Sequence, residues 1–468
     1  MCSRGKYELL ESESEAKPSS KRISALKIFY VIGFVSAFTF IAFIYFQDFA
    51  QNASWQTYEP KPTDAPPTNR TFLEEAPTAC GVIINEGPMI KVGDLNTYVT
   101  GSYMDHRFRE VKSIAIVNRQ QLVTYSCVLC CNGKNVTTLA HYAIHSDHFG
   151  FEYGTATIAC PLNDECLKPT HVALTSSANH SESITSFQSI MNRDVPAAFP
   201  HQFTVCISVM YDYTNVLNLV EAMEMFRLLG ATRVAIYRTN CDSNVQKVLD
   251  YYVERGFVEV IPWTIKKHVQ VSRGWRKDVS GGELHYYGQI PALNDCVYRY
   301  MYQSRYVALH DMDELILPFG VKTWTEMLPN LEKMYGTTFG FEFENNQFPF
   351  TSKANRRYDV NDWESVRGTN ILKYIQRVPN DPNAFNNFKV IVNPRLVLMA
   401  TVHGLLDTVN VGKHTVRVNR NVARMYHSKN LTYPLNTNLI PDNHLWDYAD
   451  ELIPAVTKVL QDCGFITG

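Results

Sequence analysis

Phe203–Met210 reads FTVCISVM, an apolar run rich in β-branched residues and the start of the stretch that decides the fold. A run of this length and composition is a buried strand. Val216, Leu219, Val220, Met223 and Phe226 follow at helical spacing, with Gly230 where a C-terminal cap belongs. Thr232–Tyr237 (TRVAIY) reads as a second strand, and Asp242 or Ser243 caps a helix carrying Val245, Val248, Leu249 and Tyr252, closed by Gly256. Val258–Trp263 (VEVIPW) is a third strand. Ile290, Leu293, Val297 and Met301 mark another helix, and Tyr306–Leu309 (YVAL) a fourth strand. Strands alternating with such helices predict an α/β class, with a mostly parallel sheet flanked by helices over 200–468. Ligands of such sheets gather beyond the carboxyl ends of the strands.

At that end of the fourth strand stands His310-Asp311-Met312-Asp313-Glu314. In extended backbone Asp311 and Asp313 project to one face, a hard oxygen pair suited to Mg²⁺ or Mn²⁺. An ion held there clamps a diphosphate and neutralises the charge that grows as it leaves. An acidic surface turn has the same sequence, but this one follows a buried strand and two βα units. The same motif also opens a type of phosphohydrolase site, which expects it on the first strand of its domain. A non-catalytic glycan-binding protein on the same scaffold is the other alternative.

Outward from this core, 44 basic against 46 acidic side chains give a net charge of −2, which argues against a nucleic-acid partner. Ile28 to Phe46 is an uncharged apolar run, spanning roughly 28 Å as a helix. Lys17, Lys21, Arg22 and Lys27 precede it and Asp48 follows, so the expectation is a single-pass type II topology. It assigns 1–27 to a cytosolic tail, 28–46 to a transmembrane signal anchor and 47–79, with Pro60, Pro62, Pro66, Pro67 and Pro77, to a stem. Short β-branched runs over 80–199, such as Ser113–Val117 and Gln121–Val128, predict a small β-rich region tied by disulfides. Eleven cysteines leave ten beyond the anchor. Cys127, Cys130, Cys131, Cys160 and Cys166 lack the paired spacing of a zinc site, and an oxidising compartment favours disulfides. Five glycosylation sequons, at Asn52, Asn69, Asn135, Asn179 and Asn430, permit modification without requiring it.

The segments LLGATRVAIY (228–237), QIPALNDCVYRY (289–300), ALHDMDELILP (308–318) and FKVIVNPRLV (388–397), with His403 beyond and MYHSK around His427, resemble glycosyltransferase family 92. In MYHSK, Tyr426 precedes His427, a departure from the family's closing element. The resemblance covers about 203–430. It implies a GT-A fold and an inverting, metal-dependent galactosyltransferase of the Golgi membrane with its catalytic domain in the lumen. It further implies UDP-galactose as donor and, as acceptor, a glycan on a glycoprotein or glycolipid, including core fucose of N-glycans.

On this reading Asp313 is the leading metal ligand, Asp311 contacts the ribose or reaches the metal through water, and His427 completes the shell, ahead of His403. Each histidine is equally at home as a structural hydrogen-bonder. Tyr211 and Asp212 after the first strand, and Asn240 and Asp242 after the second, are expected to line the nucleotide crevice, although Asp242 is also a natural helix cap. Gln289 and Asp295 lie on the helix entering the acidic strand but on different stripes, and Asp295 is either structural or a donor-site residue. Inversion needs a general base, for which Glu344 and then Glu342 are the candidates, with Asp359, Asp362 and Asp407 behind them. Lys389 or Arg395 is placed to bind the diphosphate.

Overall fold

The computed structural model describes residues 78–176, 184, 186–430 and 438–467. The tail at 1–27, the anchor at 28–46 and all of the stem before Thr78 lie outside the described residues.

The Phe203–Leu309 alternation folds close to its sequence pattern. Strands His201–Met210, Arg233–Arg238, Val258–Pro262 and Ser304–His310 pair in parallel, in spatial order 258–262, 233–238, 201–210, 304–310. Helix Val216–Leu228 is capped by the Asn215 side chain, which accepts the Asn218 N–H at 3.0 Å. It is buried on nearly all sides, as its run of apolar residues requires. Gly230, at φ +99°, supplies the left-handed residue that ends it. Helix Ser243–Glu254 starts at Asp242, whose carboxylate accepts the Val245 N–H at 2.8 Å.

The expectation of a mostly parallel sheet flanked by helices is nevertheless overturned for the described residues. The described residues are β-rich, 36% strand against 24% helix. Among the described residues no helix is long and apolar enough to cross a membrane. The four parallel strands are only part of the β structure. Their sheet continues through Lys389–Val392 and Gly340–Phe343, both in antiparallel pairings, to Thr415–Arg417. A separate nine-stranded sheet is built largely from antiparallel pairs, with Thr97–Asp105, Glu110–Asn118 and Tyr153–Pro161 as its long central strands. The alternation expected over 200–468 stops at the fourth strand, beyond which antiparallel partners from distant segments complete the sheet.

Disulfides Cys80–Cys130, Cys127–Cys160 and Cys131–Cys166 tie the nine-stranded sheet, and Cys206–Cys296 ties the 201–210 strand to helix Gln289–Arg299. The cysteines weighed as a zinc set are all consumed in these bridges, while Cys241 and Cys463 are free thiols. Helix Gln289–Arg299 packs on strands Thr97–Asp105 and Glu110–Asn118 through a buried hub. The Asp295 carboxylate accepts Thr100 Oγ1 at 3.0 Å, Tyr103 Oη at 2.7 Å and Tyr237 Oη at 2.6 Å, and pairs with Arg299 at 3.0 Å. A Cβ at Gly101 would stand 2.6 Å from that carboxylate, so the close approach requires glycine.

Candidate active site

The acidic motif occupies a turn. Strand Ser304–His310 ends at His310, residues 311–313 turn, and Glu314–Pro318 begins a second strand in another sheet. The expected extended alternation of Asp311 and Asp313 is therefore absent, and the two carboxylates have different surroundings. The Asp311 N–H donates to Glu314 Oε2 at 3.0 Å, which locks the turn.

Asp311 is held on both oxygens. Its Oδ1 accepts Ser208 Oγ and Gln289 Nε2, each at 3.1 Å, and its Oδ2 accepts Lys389 Nζ at 2.8 Å. Burial alone raises this carboxyl, but the Lys389 ammonium outweighs it and holds the group down to about 2. Lys389 is itself buried, 3.5 Å from Glu314 Oε2, and these carboxylates outweigh the burial that lowers its ammonium. Burial pushes the Glu314 carboxyl upward.

Asp313 is the freer carboxylate, with its side chain 41% exposed. Its Oδ2 is 3.3 Å from His427 Nε2. Register brings the histidine there: strand Ala423–Lys429 runs antiparallel to Glu314–Pro318, pairing His427 with Glu314, and parallel to Asn345–Pro349, pairing it with Gln347. The other imidazole nitrogen, Nδ1, lies 3.1 Å from the Asn345 side-chain amide, which fixes the ring. Burial lowers the His427 imidazole, but the bond and charge of Asp313 more than offset it and raise it overall.

Asp311, Asp313 and His427 line a cavity of about 550 Å³ together with Ser208, Tyr211, Tyr286 and Gln289. Tyr211 stacks on Tyr287 with ring centroids 3.8 Å apart and hydrogen-bonds the Tyr286 hydroxyl at 3.0 Å. Tyr286 and Tyr287 hold φ of 34° and 54°, a left-handed pair that bulky residues adopt only under constraint. The Tyr287 carbonyl, accepting Trp263 Nε1 at 2.9 Å, is part of that constraint.

Asn240, Asp242, Glu342, Glu344 and Lys389 are not in this wall. Asn240 braces Asp212 through two hydrogen bonds, at 2.7 and 3.0 Å. Asp242 caps its helix, and Asp295 sits in the hub described above. Glu342 accepts Thr415 Oγ1 at 2.5 Å, while Glu344 pairs with Arg420 at 2.7 Å in a neighbouring groove. His403 lies against the Phe388 carbonyl, with burial and then Lys389 lowering its imidazole to about 4. Arg395 donates to the carbonyls of Met301, Ser304 and Arg305, and Asp359 pairs with Arg356 and Lys373. The sequence reading missed Ser208, Tyr286, Glu314 and Asn345. Only Glu314 carried a signal, its place next to the acidic pair.

No group of three or more His, Cys, Asp or Glu able to hold an ion occurs among the described residues. What converges is a carboxylate and an imidazole on the cavity wall. Two such protein donors, with substrate phosphate and water filling the rest, suit a small divalent ion.

A family model described as glycosyltransferase family 92 matches residues 201–455, more than half of the chain. Over 390 residues the chain is 20% identical to the Caenorhabditis elegans protein named beta-1,4-galactosyltransferase galt-1, covering 78% of this chain and 80% of that protein. Two C. elegans proteins named as glycosyltransferase family 92 members align over shorter stretches. One is 24% identical over 35% of this chain and 32% of its own length. The other is 21% identical over 30% of this chain and 27% of its own length, so the chain spans about a third or less of these two relatives.

Proposed function

This chain belongs to glycosyltransferase family 92, a family of enzymes that take a nucleotide-sugar donor and a glycan acceptor, and from that premise we propose that it is a metal-dependent, inverting galactosyltransferase. The donor is UDP-galactose, and the product is a β-linked galactose on a glycan of a glycoprotein or glycolipid, core fucose of an N-glycan being the leading acceptor. The observation that carries this reading is the Asp313–His427 pair, 3.3 Å apart on the wall of a cavity that opens at the ends of parallel strands. Galactose is supported by the name of the relative that aligns over 78% of the chain, a beta-1,4-galactosyltransferase.

Asp313 Oδ2 and His427 Nε2 would hold the ion, Mn²⁺ by preference, which when bound supplies positive charge to the departing UDP. Asp311, anchored by Lys389, Ser208 and Gln289, offers an ionised acceptor to a ribose hydroxyl. Tyr211 and Tyr286 present an aromatic wall to the nucleobase. Glu344, with Glu342 behind it, takes the proton of the acceptor hydroxyl as that oxygen bonds to the anomeric carbon and the bond to the diphosphate breaks on the opposite face. The setting we propose is the Golgi lumen, supported by four disulfides, which persist in oxidising compartments.

The test is a donor panel, UDP-galactose against UDP-GlcNAc and UDP-glucose, with Mn²⁺ or chelator, on core-fucosylated and defucosylated N-glycans. Turnover of UDP-GlcNAc without UDP-galactose turnover refutes the donor, and full activity in chelator refutes the metal.

A further inference from the structure

A second hollow, of about 940 Å³, opens between the 380–388 loop and the 417–421 segment. Glu344, Asp381, Phe385, Arg417, Arg420 and Asn421 stand in its wall. It adjoins the candidate active site through one residue. The Asn380 and Asn386 amides both donate to the Asn345 carbonyl at 3.1 Å, and Asn386 Oδ1 accepts the Asn345 N–H at 2.8 Å. The side chain of the same Asn345 lies 3.1 Å from His427 Nδ1. The loop that walls the hollow is therefore pinned to the residue that orients the active-site histidine.

The charge of the hollow balances, with Glu344 and Asp381 against Arg417 and Arg420. Its cations are already engaged, since Arg420 pairs with Glu344 at 2.7 Å and the Arg417 guanidinium lies over the Phe388 ring at 4.2 Å. A balanced wall of this kind offers nothing extra to an anion such as a phosphorylated ligand or a nucleic acid. Phe385 stands 76% exposed, a bare aromatic face beside polar groups. An aromatic face flanked by a carboxylate and amides fits a pyranose, which has an apolar C–H side and a rim of hydroxyls.

We infer that this hollow is the acceptor site, and that its occupant is an uncharged oligosaccharide. A sugar ring lies on Phe385, and its hydroxyls meet Glu344 and Asn421. This deepens the transferase reading and rests on it, adding the location of the acceptor and its lack of charge.

Glycan binding by the full chain tests it independently of transfer. The probe is a neutral core-fucosylated N-glycan observed by saturation-transfer NMR, with UDP binding measured in parallel. We expect Phe385→Ala to weaken glycan binding about tenfold. Asn421→Trp, which fills the hollow, should abolish it, with UDP affinity unchanged in both. Wild-type glycan affinity in Phe385→Ala, or no glycan binding by the unaltered protein, overturns the assignment. Glycan binding that is lost in the variants, from a protein that does not turn over UDP-galactose, keeps this site and removes the donor reading.

Discussion

Replacing Lys389 by Met withdraws an ammonium 2.8 Å from Asp311 Oδ2 and 3.5 Å from Glu314 Oε2. At an effective dielectric of about 20 these separations correspond to gross attractions of about 6 and about 5 kcal/mol. Asp311 is 34% exposed, so solvent screens its share, and the cost of burying the ammonium opposes the remainder. What the substitution exposes is chiefly Glu314, a carboxylate 2% exposed and left with only the His427 imidazole, 3.7 Å from its Oε1, as a basic neighbour. Breaking a buried pair in this way costs about 3–5 kcal/mol. Glu314 has one escape: burial already pushes its carboxyl up, so without Lys389 it retains its proton at neutral pH. We therefore expect the lower end, a loss of about 3 kcal/mol at pH 7, with more than half recovered by adding Glu314→Gln. Urea unfolding followed through the buried Trp324 and Trp363 reads both values, and an unchanged m-value keeps the comparison two-state. A loss below about 1 kcal/mol for Lys389→Met alone, the size of an ordinary hydrogen bond, would refute the view that this lysine neutralises the base of the turn.

Asp313→Ala should lower transfer about a thousandfold with the melting temperature held within about 2 °C, because the side chain is half open to the cavity and supports little packing. Transfer assays beside thermal melts check this, and undiminished turnover sinks the metal-pair reading. Cys296→Ser opens a bridge spanning 90 residues and should cost about 4 kcal/mol in unfolding titrations without reductant. Glu221 is buried on helix Val216–Leu228, and burial raises its carboxyl well above the usual value of 4.5. The native state keeps a proton that the unfolded chain releases near there, so this contribution is complete below that pH and is lost as the pH climbs toward the folded value. In Glu221→Gln the denaturation midpoint should change less between about pH 5 and about pH 7.5 than in the wild type. An equally steep change in both proteins excludes Glu221 as the source.

Between Phe203 and Leu309 the local elements were legible because each is encoded within its own dozen residues. Apolar spacing marked the helices, and Asp242, Gly230 and Gly256 marked their ends. The acidic motif was legible for the same reason. Its actual shape was not, because the turn is set by Glu314 bonding back to the Asp311 amide and by Lys389, which arrives 78 residues later. His427 was picked out through resemblance, and its pairing with Asp313 depends on a strand register between segments 114 residues apart. The strand order of the nine-stranded sheet was not legible because, beside its local hairpins, it depends on pairings such as His171 with Cys130 that no window of sequence displays. Asn345 gave no sign at all, since an asparagine near a Glu pair is compositionally ordinary.

The Asp295 hub has a practical corollary for dissecting the molecule. Thr100 and Tyr103 belong to the antiparallel sheet, whereas Tyr237 and Arg299 belong to the half that carries the acidic turn. A chain trimmed to begin at residue 200 would leave this carboxylate with two of its donors deleted and the outer flank of its helix bare. Such a fragment should be expected to precipitate or to need a substitution at Asp295. Inactivity on its part would therefore report a broken scaffold and say nothing about which residues perform the transfer.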